Sequence, residues 1–389
     1  MSLKTRLSVL LISTPVLAFV LVGGLLGNSP AAGSEEGFQH LRVFHDVVEL
    51  VLDHYVTEVK PDRAMEGAIR GLAEGLDPDS SYLTPAMVRA VEAGEPLPEG
   101  DVGLELTRQY YLRVIAARDA SPAAKAGLQT GDFVRAIDNR PTRDMSVFEG
   151  ARLLRGKPGT TVTLTVIRGN AAEPHEIALV RTKATAPLVS SRTLDGGIGY
   201  LRIVTFGKGV VEELRRHVAD MRSKGAGTLL IDVRGTAEGP YENGLEAARL
   251  FVTSGTLAVK AGRETGPRTS IDAKRGDGAI DVPVTLLTTT GTSGPAELFV
   301  SALDGNNRAD VVGERTLGRA GVQKLVKLPE GRGLWLTYAR YLRPDGTQIH
   351  GRGIQPDVEV DEPTIEFGAS APEKDAILEA AIERAKQKG

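Results

Sequence analysis

The sequence predicts a multidomain α/β protein, and three observations carry that expectation. From Gly197 onward, short apolar runs rich in β-branched residues alternate with stretches of helical periodicity, the pattern of a layered α/β core. Ahead of that core lies a stretch of strand-like alternation, set off by a Pro/Gly/Glu linker at Gly94–Gly100 and by Pro187. Ahead of both, two segments read as amphipathic helices, and one more closes the chain. The expected boundaries are 1–33 for a targeting segment, 34–95 for a helical region, 96–186 for the second domain, 187–368 for the core and 369–389 for a terminal helix.

Composition narrows the function classes. At 389 residues the chain is long enough for two or three domains of about 100–200 residues each. Apolar content of 41% and charged content of 25% are ordinary for a globular protein. The formal net charge of −3 gives no reason to expect a nucleic-acid partner. The absence of cysteine excludes disulfides, thiol catalysis, cysteine zinc sites and lipidation of an N-terminal cysteine. Six scattered histidines, with no close pair at helical spacing, argue against a metal, and no cofactor is expected.

Met1 to Gly33 reads as a targeting segment. Lys4 and Arg6 form a positive flank, Leu7 to Leu26 is almost wholly apolar, and Asn28 to Gly33 is small and polar. The apolar run is also long enough to span a bilayer, so a cleaved signal and an uncleaved anchor are both open. Either one predicts export, to the periplasm or the outer face of the cytoplasmic membrane, with membrane contact only through this segment. Leu41 to Tyr55 carries Leu41, Phe44, Val48, Val51 and Tyr55 on one helical stripe, and Pro61 opens a helix expected to turn Met65, Ile69, Leu72 and Leu76 inward. This region offers packing and a possible homo-oligomer contact.

In the second domain, Phe133, Arg135 and Ile137, then Val162, Leu164 and Val166, alternate as in strands. The run Ser121-Pro122-Ala123, Ala126-Gly127-Leu128 and Gly131-Asp132 closely resembles a PDZ domain. PDZ domains bind an extended peptide by strand addition and capture its terminal carboxylate on backbone N–H groups. The resemblance puts that role on Val102, Gly103 and Leu104, where glycine lets the backbone approach an anion.

The stretch that decides the chemistry is Val282 to Gln323. Val284 to Leu287 reads as a buried strand, Gly291-Thr292-Ser293-Gly294 as a turn, and Pro295 suits the first position of a helix. A second strand at Ala309 to Gly313 leads into the loop Gly313-Glu314-Arg315-Thr316-Leu317-Gly318-Arg319-Ala320-Gly321-Val322-Gln323. This stretch resembles the active-site segment of the C-terminal processing, or tail-specific, serine peptidases. Those enzymes carry Ser-Ala-Ser-Glu-Ile at the turn and Gly-Glu-(x)-Thr-Phe-Gly-Lys-Gly-(x)-Val-Gln in the loop. The resemblance extends to Leu76-Asp77-Pro78-(x)-Ser80-Ser81-Tyr82-Leu83, to Ile198-Gly199-Tyr200, and to Gly351-Arg352-Gly353 with Pro356-Asp357.

In the family the serine attacks, the lysine is its base and the glutamine orients the lysine. Glu297, Gly313-Glu314, Thr316, Gly318 and Val322-Gln323 set the register, which puts Gly294 in the serine slot and Arg319 in the lysine slot; Gln323 alone of the three matches. The oxyanion of such a peptidase is held by the N–H after the nucleophile and by a glycine N–H after Asp-(x)-Arg. In this chain those places fall to Pro295, which has no N–H, and to the Gly235–Gly239 loop, which keeps its end glycines but carries Glu238. The sequence therefore predicts a pseudo-peptidase that binds polypeptide C-termini or unfolded tails as scaffold or regulator. Two alternatives stay open: an active serine endopeptidase using Ser293 or Thr292 with Lys324 or Lys327, and a chaperone-like holder of tails. Ser293 is expected as a turn or N-cap residue.

Overall fold

The computed structural model describes residues 34–169, 173–184, 187–263, 266–363, 365–367, 369 and 372–387, so the expected targeting segment at 1–33 lies outside the described residues. The chain divides into two compact units, residues 1–69 and 70–389. The first unit holds α1 (Ser34–His54) and most of α2 (Pro61–Glu74). The helices form where periodicity predicts them, but α2 does not turn Met65 inward as expected, and among the described residues the stripe of α1 is exposed too. Leu41 is 63% exposed, Tyr55 61%, and Phe44, Val51 and Met65 are exposed as well. In the second unit Leu72 and Leu76 also face outward, and Ala73 is the buried residue of α2. An amphipathic stripe records that a face is apolar; it does not record that the same chain covers it.

The second unit begins with β1 (Ser81–Leu83) and α3 (Pro85–Glu92), the latter capped by Thr84, whose hydroxyl accepts the Met87 N–H at 3.4 Å. A strand pair, β2 (Gly100–Asp101) with β9 (Thr182–Lys183), closes the base of the next domain. Within it, β3 (Leu104–Gln109), β4 (Tyr111–Ala117), β5 (Phe133–Ile137), β7 (Thr161–Ile167) and β8 (His175–Val180) form an antiparallel sheet in that order, with β6 (Arg140–Pro141) paired to β5. The sheet is capped by the short α4 (Pro122–Lys125) and by α5 (Val147–Leu154), which packs beside β3. The alternation on β7 is as predicted: Val162, Leu164 and Val166 are buried. On β5 it is not. A bulge between Val134 and Ala136 breaks the two-residue period, so Val134 and Ile137 point inward while Phe133 and Arg135 do not.

The core is a six-stranded sheet in the order β10 (Val189–Leu194), β11 (Ile198–Ile203), β12 (Thr228–Asp232), β15 (Val284–Thr288), β16 (Ala309–Gly313) and β19 (Val358–Glu359). All neighbours are parallel except the β10–β11 pair. Strands β12, β15 and β16 are buried along their whole length, as a parallel sheet covered on both faces requires. One face carries α6 (Val210–Ser223), α7 (Tyr241–Ala248) and α8 (Pro295–Gly305) around Phe206, Phe251 and Phe299. The other carries the terminal helix α9 (Ala376–Lys386), which buries Ile377, Ala381 and Ala385 on Leu230, Leu287 and Val312. A third, antiparallel sheet joins β1, β18 (Gly333–Leu342), β13 (Thr256–Ala261) and β14 (Arg268–Asp272), with β17 (Gly321–Lys327) along β18. That sheet brings the turn before β1 against β18, where Ser80 Oγ accepts the Thr337 N–H at 3.1 Å.

Candidate functional site

Strand β15 ends at Thr288, and the following turn delivers Gly294 as the N-cap of α8. The turn is fixed on both sides. The Thr292 hydroxyl accepts the Thr289 N–H at 3.1 Å and donates to the Val233 carbonyl at 2.9 Å, while the Ser293 N–H donates to the Thr236 carbonyl at 3.0 Å. Gly294 itself sits at φ 60°, ψ −120°, a backbone that glycine holds without strain and other residues do not. A sharp strand-to-helix turn of this kind is how a nucleophile is raised at the end of a sheet. A Cβ at position 294 would lie 3.4 Å from the Ala237 carbonyl oxygen and 3.8 Å from the Tyr241 ring, so there is room for a small side chain. Ser293 is not the cap. It is wholly buried and its hydroxyl has no hydrogen-bond partner, because the turn spends its backbone, not its side chain, on the neighbouring loop. With Thr292 committed to Val233 and Ser293 enclosed, neither hydroxyl of the turn faces a base.

Glu297, one turn into α8, ties the site together. Its two carboxylate oxygens accept four hydrogen bonds: from the Gly294 N–H at 3.1 Å, the Thr316 hydroxyl at 2.5 Å, the Gly318 N–H at 2.5 Å and the Arg319 N–H at 2.7 Å. Burial pushes its carboxyl up, and the four donors oppose this. Every neighbour donates, and Thr316 Oγ1 also accepts the Ile354 N–H at 2.8 Å, so the site is built for the carboxylate form. Gly294 and Arg319 both donate to the same oxygen, Oε2, which brings the two positions together from loops far apart in sequence.

The Arg319 guanidinium turns to the opposite side. Nη2 lies 3.0 Å from Asp79 Oδ1, and Nη1 lies 3.6 Å from Glu105 Oε2. Burial works against its charge, but the Asp79 and Glu105 carboxylates more than offset this and hold its pKa above the ordinary arginine range. Burial pushes the Glu105 carboxyl up to about 7, against the pull of Arg319; its side chain keeps 34% of its surface, at the wall of a cleft. Gln323 spends its amide on the Thr337 hydroxyl at 3.0 Å, which in turn donates to Asp77 at 3.2 Å. Arg319 and Gln323 line an apolar cleft of about 310 Å³ with Val91, Leu97, Phe148 and Trp335. Lys324 lies 4.9 Å over the Tyr338 ring, and Lys327 pairs with Glu92.

Three N–H positions around Gly294 offer an oxyanion nothing. Its own N–H is taken by Glu297, Pro295 has none, and the Gly235 N–H points to Thr289 Oγ1 at 3.3 Å. The group that faces the slot is an acceptor, the Ala237 carbonyl. Gly239, at φ 128°, packs so tightly on Phe206 that a Cβ there would collide with the Phe206 carbonyl.

Comparison with known proteins places this architecture. Residues 197–360 match Peptidase family S41, and residues 113–168 match the PDZ domain. The carboxy-terminal-processing protease of Bartonella bacilliformis is 32% identical over 345 residues, 87% of this chain and 79% of that protein. The chain belongs to peptidase family S41. A second relative in it, the carboxyl-terminal-processing protease of Synechocystis sp., is 29% identical over 94% of this chain and 92% of its own length. Among solved structures, the photosystem II D1 C-terminal processing protease superposes with a TM-score of 0.69 at 26% identity, over 83% of this chain and 88% of that one.

Within this S41 framework the PDZ loop lies against the core loop that follows β12. Arg118, between β4 and α4, donates to Glu238 Oε2 at 2.6 Å and to Asp101 at 2.9 Å and 3.4 Å. Gly103 is held close: its carbonyl accepts the Arg118 N–H at 2.8 Å, and a Cβ on it would strike the Ser121 side chain. Arg202 of β11 binds Asp119 through two bonds of 2.8 Å and 3.0 Å, a second link between the domains. Sequence reasoning found the loops on both sides of this contact. It missed Asp79, Glu105, Asp101 and Arg118. For Asp79 a signal existed: it fills the variable place of the Leu-Asp-Pro-(x)-Ser-Ser motif with a charge opposite to that of Arg319.

Proposed function

We propose that this S41 family member is an exported pseudo-peptidase, which binds polypeptide segments without cleaving them. One observation carries the reading. The strand, turn and helix that present a nucleophile are all formed, yet the presented residue is Gly294, and the residue in the base slot, Arg319, turns its guanidinium away to Asp79. Glycine has no nucleophilic atom, and an arginine cannot serve as base because its guanidinium stays protonated. Pro295, which puts no N–H after the presented residue, is a third, separate departure. Binding is supported by β3, which lies at the edge of its sheet with no strand on its outer side among the described residues. Such an edge, flanked by α5, is where an extended peptide adds as a strand. Export is supported by Lys4, Arg6 and the apolar run Leu7 to Leu26; a reporter active only outside the cytoplasm, fused after residue 40, tests it by being silent if the reading is wrong.

The deciding experiment is turnover. Unstructured polypeptides with apolar tails should stay intact over hours with the purified chain, and a hydroxyl-directed covalent probe should label nothing. Cleavage accompanied by labelling at Ser293 or Thr292 would establish the opposite reading, an active endopeptidase with a displaced nucleophile.

A further inference from the structure

The loop expected to capture a peptide's terminal carboxylate already holds a carboxylate of its own. The Gly103 N–H donates to Asp101 Oδ1 at 2.5 Å, and the same oxygen accepts Arg118 Nη2 at 2.9 Å. Asp101 Oδ2 is 3.4 Å from Arg118 Nη1 and 3.7 Å from Arg155 Nη2. Asp101 and Arg118 are both about nine-tenths buried. Asp101 is anchored from behind by its pairing with Thr182 in the β2–β9 strand pair, so its carboxylate is presented to the loop by the fold. The space beside this carboxylate, about 50 Å³, is lined by Val102, Leu104, Glu105, Leu154 and Arg155. The loop's cation is fully engaged as well, since Arg118 also binds Glu238 of the core.

We infer that Asp101 is a built-in occupant of the PDZ anion seat, and that a polypeptide's terminal carboxylate binds there only by displacing it. The inference rests on the reading that the β3–α5 groove binds polypeptide. It adds that wild-type recognition of a chain end is not driven by the terminal charge. An incoming carboxylate meets a buried like charge in van der Waals range and a Gly103 N–H that is no longer free. The peptide's apolar side chains and strand pairing with β3 must supply the binding, so an internal segment and a free end are equivalent ligands.

The test compares one apolar-ended peptide with a free and an amidated C-terminus on the full chain. Wild type should bind the two within about twofold, whereas Asp101→Ala should favour the free end by at least about tenfold, the scale of a charge-assisted hydrogen bond. A wild type that already prefers the free end tenfold overturns the inference, as does an Asp101→Ala variant that gains no preference while still binding peptide. A second readout needs no peptide. In glycine-labelled protein, acetate should shift the Gly103 amide resonance in Asp101→Ala and leave it unmoved in wild type. Equal shifts in both overturn the inference. If no peptide binds either protein but acetate moves Gly103 only in the variant, the peptide-binding reading fails and the occupied seat stands. Should Asp101→Ala not fold, Asp101→Val removes both the charge and the acceptor while suiting a strand, and carries the same acetate expectation.

Discussion

At the scale of single residues, the site departs from the family's serine–lysine pattern at several positions that bear on one another. Gly294→Ser with Arg319→Lys restores a hydroxyl and an amine at the family spacing. A lysine at 319 would sit against Asp79, however, and a carboxylate at that distance holds an ammonium protonated when a base must be neutral. The oxyanion would still face the Ala237 carbonyl and a proline without an N–H. Each absent donor alone costs a factor of about 10²–10³ in rate. The double variant should therefore show no measurable turnover of an unstructured substrate. Adding Pro295→Ala and Asp79→Asn should bring turnover into the measurable range. If the double variant cleaves as fast as the quadruple one, neither Pro295 nor Asp79 is what blocks the chemistry.

At the scale of elements, α8 and the loop from Gly313 to Gly321 are joined by Glu297 more than by apolar contact. Four donors converge on one buried carboxylate, and three of them are backbone N–H groups that no side-chain change can redirect. Glu297→Gln keeps the shape but, whichever way the amide is placed, turns its N–H₂ toward at least one backbone N–H, which can only donate. Hydrogen bonds to a buried charge are worth about 1.5–3 kcal/mol each, and their donors would be left unsatisfied. The substitution should lower stability by roughly 3 kcal/mol or more in urea unfolding. A loss under about 1 kcal/mol would mean that the loop finds other partners and that Glu297 is dispensable to it.

At the scale of the whole molecule, Arg319 links three regions: Asp79 ahead of β1, Glu105 on β3 of the PDZ domain, and its own loop in the core. Glu105 makes this junction sensitive to pH. Its carboxyl rises from an ordinary 4.5 to about 7 on folding. Between those values the folded state holds a proton that the unfolded state has released, so stability falls as pH rises from about 4.5 to about 7 and levels off above. Thermal midpoints of wild type and Glu105→Gln at about pH 5 and about pH 8 should show a larger fall in wild type than in the variant. Parallel profiles would contradict it. Glu105 was not legible in the sequence, because its environment is made by Arg319 and Glu238, which lie far along the chain. The layered core was legible, since β12, β15 and β16 are apolar runs between helices with clear stripes. The slots at Gly294 and Arg319 were legible because Glu297 and the glycines around them keep the family spacing. The bulge in β5 and the exposed stripe of α1 were not, since a periodic pattern reports neither register slips nor what covers a face.

Gly294 also sets a direction on how such a site changes over time. A serine in its place would have to hold φ 60°, ψ −120°, at a standing cost of about 1–3 kcal/mol, out of a total stability of about 5–15 kcal/mol for an ordinary domain. Exchange of that serine for glycine relaxes the turn and leaves its shape untouched. Once catalysis is no longer selected, the step is favoured by stability alone. The reverse step must lower stability first, and on the proposed reading it brings no activity until Arg319, Pro295 and Asp79 have changed as well. On the proposed reading the turn works as a ratchet at this one position: the exchange of serine for glycine runs downhill, and Gly294→Ser is opposed.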